Sequence, residues 1–329
     1  DPHSSPPGSV DRVGRHTAAL PAAAGRSLIS GDSAVSRATV IIAPEDESML
    51  HAIAEAAAKN RSYVLNALNT RDSLYTENAC LLQANVPQRR MYELAVDGLM
   101  HSYPGYVPVI LQSDGGRNER EAFTAYLAER YRAAGTEPVT ITYKSSLMLS
   151  QLDALPVGNG QKYVFVPSSA SLPEFNKYAY VVMTFRDRLI AEANGSDSAC
   201  AEIFGYPDWT AFRGDVLDTL HRLNATVYSR FFDDFNGFSA RTVASDFRRW
   251  YGESYIESIP TYGLLGYDCA CYIIKNIRSN DGHFDPLSPV SFSGVQSTFD
   301  FTRSGEGYVN NAIYIITYLP GGRVSAYVQ

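Results

Sequence analysis

From Thr39 onward, short β-branched or apolar runs alternate with polar stretches in which apolar residues return at helical spacing. Residues 40–43 (Val-Ile-Ile-Ala) read as a buried strand, and Met49, Leu50, Ile53 and Ala57 then mark one face of a helix reaching Lys59. Further extended runs lie at 63–68, 80–86, 107–112, 139–143 and 163–166. Helical spacing is found at 88–101, from Asn118 to the stop at Gly135, and at 147–155. Ser171 with Glu174 three residues on is a capping box, which predicts a helix running to about Asn194. After a strand at 201–204, Trp209, Phe212, Val216, Leu220 and Leu223 fall on one helical face, followed by a strand at 226–232. Val243, Phe247 and Trp250 predict a helix ended by Gly252, and 262–277 predicts a mostly apolar one. Beyond Pro286 the period changes: 291–301, 312–319 and 324–328 alternate as antiparallel strands do, the last two joined at Pro320-Gly321-Gly322.

Strand and helix in alternation, followed by a small antiparallel tail, predict an α/β protein with a parallel sheet. With 329 residues the chain is long enough for two lobes. Residues 1–38, rich in Pro, Ser, Gly and Ala, form a lead-in whose helical stretch at 17–29 is interrupted by Pro21 and Gly25. Charged residues make up only 19% and apolar residues 45%, which argues against long disorder. The formal charge is -7, and no window gathers Lys and Arg into a stripe, so a nucleic-acid partner is not expected. No run approaches a membrane span, and residues 1–10 lack the charged-then-apolar order of an export signal. Four cysteines are too few for a disulfide scaffold, and Cys269 and Cys271 fall on different faces of an apolar helix.

Tests for chemistry mostly exclude. There is no G-x-S-x-G elbow, no H-E-x-x-H, no C-x-x-C and no P-loop, and the six histidines are scattered, with His51 and His221 reading as surface or boundary positions on helices. Aligning Gly237 with the glycine of a calcium loop puts Phe232 at the first ligand position, so residues 233–237 read as a turn. Gly158-Asn159-Gly160 is another turn, and the sequons at Asn60, Asn194 and Asn224 are a short pattern common by chance. No cofactor or metal is expected. What remains is a set of small polar residues just past strand ends: Glu45 to Ser48, Asn66, Asn69, Thr70, Gln112, Ser113, Asp114, Ser168, Ser169, Tyr206 and Asp208. In a parallel sheet such positions share one crevice, and they suit a small zwitterionic or anionic ligand.

The order of elements, with Phe204-Gly205-Tyr206-Pro207-Asp208-Trp209, Leu220-His221-Arg222-Leu223-Asn224 and Tyr262-Gly263-Leu264-Leu265-Gly266-Tyr267-Asp268, resembles the type 1 periplasmic binding proteins, including branched-chain amino-acid receptors. Within that family it resembles the subset found in envelope proteins that carry LysM modules. The resemblance implies two Rossmann-like lobes in a clamshell, with hinge closure on a ligand. Lobe 1 would comprise 39–86 and 233–289 and lobe 2 would comprise 87–232, with 290–329 a β segment at the hinge and crossings near 83–87, 229–234 and after 286. Ligand contacts would come from Ser48, Asn69, Thr70, Asp114, Ser168, Ser169 and Tyr206. Two departures stand out: Glu45, Asp46 and Glu47 replace a glycine-rich turn, and lobe 1 reads as shortened at its start. The expected function is therefore a non-enzymatic solute-binding protein of the periplasm or cell envelope, taking an amino acid, a peptide or a cell-wall fragment. Its rival is a degenerate clamshell that docks peptidoglycan or an envelope protein; an enzyme using Asp114 or Glu45 as a base lacks any visible acid–base partner.

Overall fold

A computed structural model describes residues 37–70, 73–157, 161–192, 201–233, 237–256, 258–289 and 292–329. The lead-in helix, the turn at 158–160 and the sequon at Asn194 lie outside them. The first strands are β1 (Val40–Ile42), β2 (Tyr63–Asn66), β3 (Leu81–Gln83), β4 (Val107–Ser113), β5 (Val139–Tyr143), β6 (Tyr163–Pro167), β7 (Ala201–Gly205) and β8 (Thr226–Ser229). They are followed by β9 (Phe292–Ser293), β10 (Thr298–Phe299), β11 (Phe301–Ser304), β12 (Gly307–Asn310), β13 (Tyr314–Leu319) and β14 (Arg323–Val328). The helices are α1 (Glu47–Asn60), α2 (Gln88–Ser102), α3 (Glu121–Ala133), α4 (Leu149–Leu152), α5 (Leu172–Glu192), α6 (Asp215–Leu223), α7 (Phe238–Tyr251) and α8 (Tyr262–Ser279).

The chain forms two compact units. Unit 1 takes residues up to Gln88 with Val243–Ile256 and Pro260–Asn311, and unit 2 takes Arg89–Thr242, Glu257–Ile259 and Ala312–Gln329.

Unit 1 is built on a sheet in the order β1-β2-β3-β12-β11. The first four are parallel neighbours, and only β11 runs antiparallel, against β12. The sequence reading put this segment in an antiparallel tail; instead β12 pairs parallel with β3 through Tyr308↔Leu82 and Val309↔Gln83. Only a glycine fits at Gly307, since a Cβ there would sit 2.5 Å from the carbonyl oxygens of both Asn78 and Tyr75. Helix α1 starts at Asp46, whose carboxylate accepts from the Met49 amide at 2.8 Å, and packs Leu50, Ile53 and Ala57 against Val64 and Leu81. One carboxylate of the acidic loop is thus a helix cap. Helix α7 is more exposed than its period implies: Ala240 is its buried residue, and Trp250 is 66% exposed.

Unit 2 has seven strands in the order β14-β13-β8-β7-β6-β4-β5. β4 to β8 are parallel, β13 runs antiparallel to β8, and β14 returns as the expected hairpin. Strand β6 is buried along its whole length, which is why it reads as an unbroken apolar run. The helix expected through Trp209 and Leu223 is two elements. Residues Pro207–Ala211 form a 3₁₀ turn, Phe212 is extended, and Gly214 at φ 58° restarts the chain into α6. The apolar spacing survives the break because Trp209 and Phe212 both pack on Phe175, with ring centroids 4.9 and 5.5 Å away. The expected capping box at Ser171 is also replaced. Glu174 turns inward, accepting from Lys177 Nζ at 2.6 Å and from the Tyr143 hydroxyl at 2.9 Å.

Those two bonds set the electrostatics of Glu174. Burial pushes its pKa up, but the bonds to Lys177 and Tyr143 outweigh burial and hold it below the ordinary value. A depressed carboxyl contributes stability above its unfolded value of about 4.3 and loses it as pH falls through the lower folded value. Glu174→Gln should therefore cost about 1–3 kcal/mol at neutral pH. Denaturant melts from pH 7 down to pH 3 should show the gap to wild type shrinking below pH of about 4.3.

Candidate functional site

In unit 2, β4 lies between β5 and β6, so the chain leaves it in one direction and returns on the other side. Such a reversal opens a crevice at the carboxyl ends of the two strands, the usual ligand position in open parallel sheets. Ser113 ends β4, and Ser168 and Ser169 follow β6. These side chains are tied to one another. Asn118 Oδ1 accepts from the Ser113 amide at 3.0 Å and from the Ser168 hydroxyl, while Asn118 Nδ2 donates to the Ser113 carbonyl at 2.7 Å. Glu119 accepts from the Ser169 hydroxyl at 3.0 Å and the Ala170 amide at 2.8 Å. Ser168 and Ser169 are buried. The sequence reading locates them correctly at the strand ends, but their hydroxyls brace the crevice wall.

Asp114 is exposed and faces Lys144, with Nζ 3.6 Å from its carboxylate. Tyr206 is fully buried and its hydroxyl is already engaged, donating to the Pro167 carbonyl, so the structure gives it a packing role. The reason is the fixed ring between Phe123 and Trp209, at centroid distances of 5.5 and 6.4 Å.

Beyond Tyr206 the strand ends carry a cluster that the sequence reading missed. Arg120, just before α3, sets Nη2 2.6 Å from Asp208 Oδ2 and lies over the Tyr206 ring at 5.3 Å. Burial works against its charge, but Asp208 together with the Tyr228 and Tyr92 phenols outweighs burial and raises the pKa. Arg230 comes immediately after β8 and is half-buried. Burial pushes its pKa down to about 10; the Tyr228 and Tyr92 phenols oppose that shift and the Arg120 charge adds to it. Tyr228 itself is wholly buried, and its hydroxyl has no hydrogen-bond partner; Arg120 Nε is likewise buried and unpartnered. Phe123 floors the cluster, edge-on to Tyr92 at 5.2 Å and stacked on Tyr228 at 5.4 Å. One signal was available in the sequence: an arginine directly behind the buried run Thr226–Ser229.

The strand ends of unit 1 are amide-rich and closed. Asn66 Nδ2 donates to Gln83 Oε1 at 2.7 Å, and Gln83 Nε2 donates to the carbonyls of Asn69 at 2.6 Å and Asn85 at 2.7 Å. Asn69 is a buried member of this network, and Thr70 beside it is half-buried. Ser48 is exposed and donates to Asp46 at 2.6 Å. With His51, Glu55 and Lys59 it lines a groove of about 800 Å³ along α1, with Leu74 and Asn78 opposite. The groove follows the helix flank and not the strand ends.

Among the described residues no group of three or more His, Cys, Asp or Glu is placed to hold a metal ion, and no helix is long and apolar enough to cross a membrane. Cys80, Cys269 and Cys271 are free thiols. His221 is buried, against the expectation of a surface or boundary position, with Nδ1 2.7 Å from the Leu319 carbonyl oxygen.

No family model matches the chain, and no curated protein matches it. Solved structures do. One assigned to a branched-chain amino acid ABC transporter of Rhodospirillum rubrum aligns over 93% of this chain and 84% of its own, with TM-score 0.59 and 11% identity. The fold is that of the type 1 periplasmic binding proteins. A branched-chain amino acid ABC transporter periplasmic ligand-binding protein of Burkholderia xenovorans aligns over 93% of this chain and 79% of its own, with 15% identity and TM-score 0.49. An ABC transporter substrate-binding protein of Desulfitobacterium hafniense in complex with Leu aligns over 93% and 84%, with 13% identity and TM-score 0.47. The periplasmic-binding-protein fold accounts for the two units, each built on a largely parallel sheet.

Proposed function

We propose that the chain is a non-enzymatic solute-binding protein acting in the periplasm or cell envelope, and that it takes a small polar molecule. The observation that carries this reading is the convergence of Tyr92, Arg120, Tyr228 and Arg230 at the strand ends of unit 2, where the buried Tyr228 hydroxyl and Arg120 Nε stand without partners. Its placement outside the cytoplasm rests on the fold resemblance alone. A catalytic reading finds little support in the same region. The Ser168 and Ser169 hydroxyls donate to Leu111, Asn118 and Glu119, and His221 is engaged with Leu319.

The experiment is a thermal-shift panel of amino acids, small carboxylates, sugars and dipeptides on the full chain. A solute at a hundred times its Kd stabilises the folded state by about 2.7 kcal/mol, which raises Tm by several degrees. At least one member of the panel is expected to do this. A flat panel would contradict the reading.

A further inference from the structure

We propose that unit 2 binds an oxyanion, in the first place a small carboxylate, on the donors of Tyr228, Arg230, Arg120 and Tyr92, and that it rejects free amines. The inference rests on the solute-binding reading and names the charge class of the solute. Tyr228 is 0% exposed and its hydroxyl has no partner, and the buried Nε of Arg120 has none either. A buried donor left unpaired costs about 1–3 kcal/mol, and native structures keep few of them. Two in one cluster call for an acceptor. Guanidinium groups carry only donors, in a fork that matches the two oxygens of a carboxylate.

Asp208, the carboxylate paired with Arg120 in this cluster, is already engaged. Its Oδ2 lies 2.6 Å from Arg120 Nη2, so an incoming amine would have to displace a guanidinium already in place. Asp208 is better read as the residue that orients Arg120. Arg230 stands close enough to Arg120 for their charges to repel, and the depressed pKa of Arg230 reflects burial compounded by that repulsion. A bound anion relieves both, because it neutralises charge in a site floored by Phe123 and walled by Tyr92 and Tyr228.

Calorimetric titration of the full chain with two matched series tests this: benzoate, phenylglycine and benzylamine, then 4-methylpentanoate, leucine and 3-methylbutylamine. The carboxylate of at least one series should bind at one site, and neither amine should bind. Tyr228→Phe should weaken that carboxylate about tenfold while leaving Tm unchanged or raised, since it removes only an unpartnered hydroxyl. A merely structural tyrosine would lower Tm and leave Kd alone. Arg230→Gln should weaken binding at least about tenfold.

The inference is overturned, with the solute-binding reading intact, if an amine or amino acid binds in preference to its carboxylate. The same holds if only an uncharged solute of the thermal-shift panel binds, or if both variants keep the wild-type Kd. If neither series nor any panel solute binds, both fall together.

Discussion

Trp209→Ala should destabilise unit 2 by about 3–5 kcal/mol, the range for truncating a fully buried large aromatic. Trp209 is 0% exposed, its indole N–H donates to the Ala170 carbonyl at 3.0 Å, and its ring meets Phe175 edge-on at 4.9 Å. The site cannot collapse easily. Gly205 is already pressed so close that a Cβ on it would lie 2.2 Å from the indole ring, so the backbone of β7 is fitted to this side chain. Truncation also frees the segment carrying Tyr206 and Asp208, so that solute affinity should fall along with stability. A drop in Tm of roughly 10 °C is expected at this cost. Fluorescence supplies a second readout. The chain has two tryptophans, and the other, Trp250, is 66% exposed, so the variant should emit at the wavelength of a solvated indole before unfolding as well as after it.

The second large effect belongs to unit 1. Asp268, buried on α8, accepts from the Val295 amide at 2.8 Å and from the Gln296 and Ser297 amides at 2.9 Å each. Gln296 in turn holds Thr261 at the start of the same helix, donating to its carbonyl at 2.6 Å and accepting from its amide at 3.1 Å. The carboxylate therefore closes the β9–β10 turn onto α8. Asp268→Ala would leave three amides without their acceptor, and a loss above about 3 kcal/mol is expected, since each buried donor without a partner costs about 1–3 kcal/mol. Asp268→Asn, which keeps one acceptor oxygen, should lose less. Chemical denaturation of both variants, with amide exchange followed at 295–297, checks the order. Equal losses for Ala and Asn would show that the space filled by the side chain, and not its acceptor oxygens, holds the turn.

Strands buried on both faces, such as β6 and β8, were legible because parallel sheets write continuous apolar runs. Helix α1 was legible from its apolar spacing, and α5 from the Ser171 and Glu174 pattern at its start. The misreadings have physical causes. Strand β12 is four residues long, and its partner β3 lies more than two hundred residues earlier, so no local pattern could reveal that the pairing is parallel. Trp209 and Phe212 kept helical spacing across a break because both serve one partner, Phe175. Glu174 matched a capping box and was claimed by Tyr143 and Lys177.

At the site, position was readable and role was not. Ser168 and Ser169 were placed at the right strand end, but nothing in the sequence shows that Asn118 and Glu119 would take their hydroxyls. Arg120, in the run Asn118-Glu119-Arg120-Glu121, reads as solvated surface, and only folding brings it over Tyr206. Tyr206 shows the converse: a polar tip at a strand end, turned inward by aromatic packing.

The central claim is that this fold retains a solute and does not transform it. Equilibrium dialysis of the purified chain against the best carboxylate of the titration, followed by mass spectrometry of the recovered compound, tests it directly. Saturable uptake of one molecule per chain, returned chemically unchanged after prolonged incubation, is the expected result. Absence of uptake, or recovery of a converted product, would contradict it.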